Sequence, residues 1–302
     1  RKWMLLIALV ATVATSACGA SRQSGICGDV NPAATGTGDI AALETQAEDA
    51  WTARADQAQT ETAIAAWEQI LTIDPARYDI RTKLSRAHYF LADSHLWFKK
   101  TIDDDEPTAA LMLQNYKKGT DQAEFALGQQ YPGFRTKYCA RQPFDTALQQ
   151  LDKEAVGAMY WYAVNLGRWA LQTSLVQILN NKDRIKAMME TVSRLDAPYW
   201  YYAADRYFGA YFTKIPFPSG DLPKSKTYFE KSIAGGPQYL ATSVVFARMN
   251  LAKAGDRERF QAILEGVRDY DLNGAPEVRP ENAAEQRKAE YYLQEMEFIV
   301  EE

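Results

Sequence analysis

Few residues in this chain have the chemistry of a reactive or ligating site. There are two histidines, His88 and His95, and three cysteines, Cys18, Cys27 and Cys139. The histidines stand seven residues apart on one helical pattern, on the same side but two turns from each other. That is too far to share a metal without other ligands, and no Cys or His pair falls at zinc spacing, so both read as structural. The run Asp103-Asp104-Asp105-Glu106 precedes a helix, where carboxylates cap free amides and oppose the helix dipole favourably. Asp269-x-Asp271-x-Asn273-Gly274 matches the first half of a calcium loop, in which alternate oxygens and a glycine wrap a hard cation. The bidentate Glu of such a loop should fall at Pro280, and Glu281 comes one residue late. The segment therefore reads as an Asn-Gly turn ahead of the last helix. No glycine-rich phosphate loop follows a strand, no nucleophile elbow surrounds a serine, and carboxylates are dispersed along solvated faces. The expectation is a protein with no catalytic residues, no metal and no cofactor. A net charge of -5 with no basic stripe offers nucleic acid no phosphate track.

The cysteines point to export. Arg1 and Lys2 precede an apolar run from Trp3 to Val13, and small residues lead to Thr15-Ser16-Ala17-Cys18. Crossing a bilayer core of about 30 Å needs roughly 20 apolar residues, so this run has signal-peptide length. Residues 1–17 are expected to be a lipoprotein signal with Cys18 lipid-modified, although Thr15 stands where a lipobox usually has Leu. The other reading is an ordinary signal peptide with an incidental Cys18. Gly19, where a retention Asp would stand, favours the outer membrane. Residues 18–40, rich in Gly, Ser, Ala and Thr, read as a flexible tether. In an oxidising compartment Cys27 and Cys139 either stay as two thiols or form a bridge. Such a bridge would close a loop of about 100 residues and contribute up to about 4–5 kcal/mol in the chain-entropy model.

Elements able to position such groups are helical throughout 41–302; strand signals are almost absent. The unit Ala63-x-x-x-Trp67-x-x-Ile70-x-x-x-x-Pro75 carries small, aromatic, aliphatic and proline residues at the spacings of a tetratricopeptide (TPR) second helix. Ala63 allows a close approach, Trp67 and Ile70 fill the groove, and Pro75 ends the helix. Weaker copies follow, giving an all-α, TPR-like solenoid of about five helix pairs whose free faces bind other molecules. The last, highly charged helix reads as a terminal cap.

Two segments depart from plain repeat. The helix around Tyr160, Trp161, Asn165, Arg168 and Trp169 is aromatic on nearly every face, so it is either fully enclosed or lines a cavity. The run Tyr199-Trp200-Tyr201-Tyr202 and the loop holding Pro216, Phe217 and Pro218 have the rigid apolar character of a contact surface, or else of a long connection.

These same segments carry a family resemblance. Gly209-Ala210-Tyr211-Phe212 through Pro216, Pro218 and Gly220, then Ser225-Lys226-x-Tyr228-Phe229-x-Lys231-Ser232-Ile233, resembles the T component of TRAP-transporter-associated systems (TatT). So does Tyr160-Trp161-Tyr162-Ala163-x-Asn165-Leu166-Gly167-Arg168-Trp169-Ala170. The resemblance spans Ala47 to Leu264; the irregular lipobox and the acidic C-terminal helix depart from it. It implies a lipid-anchored periplasmic protein that partners a solute-binding P component, assembles as a homotrimer and offers a ligand-sized cleft. Tyr160, Trp161, Asn165, Arg168 and Trp169 would line that space, with Arg168 pairing an acidic head group. Tyr199 to Tyr202 with Pro216, Phe217 and Pro218 would face the partner. The competing expectation is an assembly-scaffold lipoprotein of an envelope or secretion complex that binds only proteins.

Overall fold

The computed structural model describes residues 24–215, 218 and 220–301, and every regular element among them is helical. Residues 1–17, Cys18, Pro216 and Phe217 lie outside the described residues. The chain begins with α1 (Ile40–Thr52) and α2 (Gln57–Ile73). Helix α3 (Tyr78–Phe90) runs through a π turn (Leu91–Leu96) into α4 (Trp97–Ile102) and folds against the long α5 (Glu106–Gln130). Two short helices, α6 (Pro132–Cys139) and α7 (Phe144–Leu148), lead to α8 (Val156–Thr173) and α9 (Leu175–Leu195). Then come α10 (Tyr199–Lys214), α11 (Leu222–Gly235) and α12 (Ala241–Phe246), which continues through a second π turn (Ala247–Leu251). Helices α13 (Arg257–Arg268), α14 (Arg279–Gln294) and α15 (Met296–Ile299) complete the chain. No helix among the described residues is long and apolar enough to cross a membrane.

Local chemistry sets the boundaries. Side chains of Asp39, Asp56, Ser174, Asp221 and Asp256 accept hydrogen bonds from first-turn amides of α1, α2, α9, α11 and α13. Each such cap stabilises its helix by about 1 kcal/mol. Apolar faces then pack neighbours together: α1 on α2, α3 on α5, α5 on α8, α8 on α9 and α10 on α11. A larger core holds Trp67, Leu84, Tyr116 and Trp161, and a smaller one beyond α10 holds Phe229, Phe246, Phe260 and Leu264. Gly209 lets α10 approach α11 closely, since a Cβ there would meet the Phe229 ring at 2.7 Å.

The structure departs from the sequence reading in two places and decides between its two alternatives in a third. The described part of the 18–40 segment is packed, not loose: Ile26 and Val30 are buried, and Arg135 donates to the carbonyls of Ile26 and Gly28. Composition hid this because two apolar residues suffice to dock a short arm. Of the two alternatives for Cys27 and Cys139 the bridge is the one formed, with Cys139 at the end of α6. Finally, α14 is no outer cap. It returns to the first helices: Trp97 meets Tyr291 and Tyr292 edge-on, and the Arg287 guanidinium lies 3.8 Å from the centre of the Phe98 ring. Its buried face is mostly polar, with Glu281, Asn282, Glu285 and Lys288 enclosed, so apolar periodicity could not place it.

The disulfide spans a sequence separation of 112. Replacing both Cys27 and Cys139 by Ser is expected to lower stability by about 2–4 kcal/mol, read as an earlier thermal midpoint. A midpoint shared by the oxidised, reduced and double-Ser proteins would show that the bridge adds nothing.

Candidate functional site

Asp93 is the focal group of the interior. The first π turn carries it inward, where its side chain is 7 % exposed. Lys288 from α14 donates to it at 2.7 Å, and the Arg168 guanidinium of α8 lies at 2.8 Å. Lys288 also bonds Glu285 at 2.7 Å. Burial alone would raise the Asp93 pKa, but the two cations outweigh it and hold the group below the ordinary carboxylate value. Glu285, also buried and close to Asp93, is pushed upward instead. A second contact repeats the pattern: Glu281 accepts from Arg54 at 3.2 and 2.8 Å and from Arg86 at 2.9 Å. Both contacts join α14 to the beginning of the fold.

The start of α10 is the other unusual feature. Trp200, Tyr201 and Tyr202 have φ of 46, 58 and 55°, three consecutive side-chain-bearing residues in the left-handed region. Each costs on the order of 1–2 kcal/mol and persists only where surroundings fix it. Here Arg206 donates to the Trp200 and Tyr201 carbonyls, and Ser232 Oγ donates to those of Tyr201 and Tyr202. The Tyr202 ring sits against Gly235, where any Cβ would come within 2.2 Å of it. The turn aims Trp200 at Trp161 and Tyr239, with ring centres 5.4 and 5.8 Å away, and stacks Tyr201 on Tyr239.

Between these features lie two adjoining spaces. An inner chamber of about 100 Å³ is lined by charged groups (Asp93, Arg168, Arg206, Arg248, Glu285, Lys288) and by Trp161, Trp200, Tyr239 and Tyr292. An outer cleft of about 180 Å³ opens between α8, α9 and α10, with Ala163, Val164, Leu171, Ile178, Ile185, Ala203 and Ala210 among its walls. Tyr89, Tyr160, Arg168, Arg206, Val245 and Met249 line both and form the partition. Both π turns supply lining groups, Asp93 and Ser94 from the first and Arg248 and Met249 from the second. Widened turns of this kind recur at functional sites because they re-aim side chains that a regular helix would point elsewhere.

A family model for the TRAP transporter T-component matches residues 57–299. The chain belongs to that family. No curated protein matches it.

In this T-component, the residues singled out from sequence divide. Tyr160 and Arg168 line both spaces and Trp161 lines the chamber. Asn165 does not reach them: fully buried, it donates to Ser85 and to the Trp161 carbonyl, close against Gly119 of α5. Trp169 is likewise a core residue. The Arg168 charge is already answered by Asp93, so it is not a free cation awaiting a head group. Tyr199, Trp200, Tyr201 and Tyr202 are half-buried and turned towards neighbouring aromatics, not displayed as an open partner face, because the left-handed turn rotates them inward. Pro218 is exposed. Asp269 is paired with Arg268, and Asp271 caps the next turn through Asn273, so their carboxylates do not converge. The groups that sequence reasoning missed are Asp93, Arg206 and Lys288. Asp93 stands alone in an apolar stretch, which was an available signal, whereas Arg206 follows Asp205 and Lys288 lies in a charged helix, so neither stood out.

The histidines hold structure together. His88 Nδ1 lies 2.8 Å from Asn115 Oδ1, and His95 Nε2 lies 3.0 Å from the Arg54 carbonyl. Burial drives the His88 pKa down from 6.5 to about 4. Between those values the unfolded chain binds a proton that the folded one refuses. His88 therefore costs nothing above pH 6.5, and stability falls as pH drops towards 4, by up to about 1.4 kcal/mol per pH unit. His88→Gln should flatten that slope in denaturant titrations across this window; an unaltered slope would contradict the assignment.

Proposed function

We propose that this T-component is a lipid-anchored periplasmic protein of TPR-like repeats, about five helix pairs in all, that acts by binding and not by bond chemistry. It docks the solute-binding P component of a TRAP-type system and holds a small hydrophobic or organic-acid ligand. The observation that carries the ligand half of this reading is the apolar cleft between α8, α9 and α10, partitioned by Tyr160 and Arg168 from the chamber behind. Apolar lining with a few placed polar groups is the usual character of a small-molecule site.

The docking half draws on the cleft's rim. Leu171, Leu175, Val176 and Leu179, at the α8–α9 corner, are 42–66 % exposed. Leu171 also belongs to the cleft wall, so a protein seated on this corner would meet a ligand at the cleft mouth. Contiguous exposed apolar side chains beside a cavity favour association. Family membership supports a partner within a TRAP transport system.

Leu175→Glu combined with Val176→Glu is expected to weaken capture of the purified P component roughly tenfold or more, with the fold unchanged by circular dichroism. Crosslinking from position 179 in intact cells should attach a periplasmic binding protein. Recovery of envelope-assembly or secretion subunits instead would replace this reading with a protein-only scaffold.

A further inference from the structure

The outer cleft has a one-sided electrostatic character. The charged residues lining it are Arg168, Lys182, Arg206 and Lys214, all basic, in a chain whose net charge is -5. Two of these are neutralised, Arg168 by Asp93 and Lys182 by Asp183. Arg206 and Lys214 have no acidic partner among the described residues.

Arg206 is the more telling of the two. It is 8 % exposed, and its hydrogen bonds all go to neutral oxygens: the Tyr160 and Thr242 hydroxyls and the Trp200 and Tyr201 carbonyls. Its guanidinium also lies over the Tyr239 ring, 4.8 Å from the centre. These contacts solvate the cation without cancelling its charge, and buried charge is normally paired. Lys214 stands nearer solvent with Arg248, Lys253 and Arg168 as its charged neighbours; burial and those cations push its pKa below the ordinary lysine value.

We propose that the cleft is a site for an amphipathic organic anion, a carboxylate on a hydrocarbon chain. Arg206 receives the carboxylate at the inner end, where the cleft meets the chamber, and Lys214 draws it in from the mouth. The hydrocarbon lies along Ala163, Val164, Leu171, Ile178 and Ile185. A neutral lipid would leave the Arg206 charge uncompensated, and a cationic one would meet only like charges. This specificity rests on the cleft being the ligand site proposed above. It transfers the head-group role from Arg168, which is occupied, to Arg206.

Three probes of equal chain length separate the possibilities: decanoate, decanol and decyltrimethylammonium, titrated into the purified full chain by calorimetry. Decanoate should bind roughly tenfold or more tightly than decanol, with decyltrimethylammonium weakest, and added salt should narrow the difference. Arg206→Gln should remove most of the preference while sparing decanol. Arg206 also braces the left-handed turn, so Lys214→Met, at an exposed side chain, serves if that variant does not fold; it should lower decanoate affinity several-fold. Equal binding of decanoate and decanol would overturn this proposal and leave the apolar cleft as a ligand site. So would decanoate binding indifferent to both substitutions. Binding of none of the three would remove both readings together.

Discussion

Asp93 held between Arg168 and Lys288 is the contact on which the rest of this architecture depends. Three stretches of chain far apart in sequence, the first π turn, α8 and α14, meet at that one carboxylate. Together with Glu281 between Arg54 and Arg86, it brings the end of the helical array back onto its beginning. Removing one member of a buried ionic group leaves an uncompensated charge and costs on the order of 3–5 kcal/mol, so the arrangement enforces register even where its net contribution is small. Without it, α14 would keep its apolar packing on α13 through Ala289, Tyr292 and Leu293 but lose its ionic attachment to the first helices, and the inner chamber would lose one wall.

The same closure frames the inner chamber. Helix α14 lines the inner chamber with charged and aromatic side chains (Glu281, Glu285, Lys288 and Tyr292) that do not fill it. The chamber behind and the cleft in front share a partition made of Tyr89, Tyr160, Arg168 and Arg206. Three of these are held by bonds that also support structure: Arg168 by Asp93, Arg206 by the left-handed turn, and Tyr160 by Arg206. A site assembled from such residues is preorganised, because fixing the fold fixes the side chains.

How much of this was legible in the sequence depends on which physical signal carried it. Helices and many of their ends were readable, because aspartate caps, prolines and a 3.6-residue apolar rhythm are local. The special character of the Tyr160–Trp169 helix was readable too, because aromatics on every face are rare without a reason. The two π turns were not: Leu91–Leu96 and Ala247–Leu251 are ordinary helical sequence with no local mark of widening. Nor was the left-handed turn at Trp200 to Tyr202, which no glycine announces and which Arg206 and Ser232 impose from outside. Charge pairing across 195 residues, as between Asp93 and Lys288, leaves no periodic trace. That explains why α14 read as an outer cap and Arg168 as the free cation.

The closure of α14 onto the first helices can be measured directly. Spin labels at the exposed positions Lys100 and Glu290, on α4 and α14, report their separation by double electron–electron resonance. A single narrow, short-distance peak that broadens when Lys288 is replaced by Met is the expected result. A broad distribution in the unsubstituted protein, indifferent to that replacement, would mean that α14 does not close onto the first helices and that the inner chamber lacks that wall.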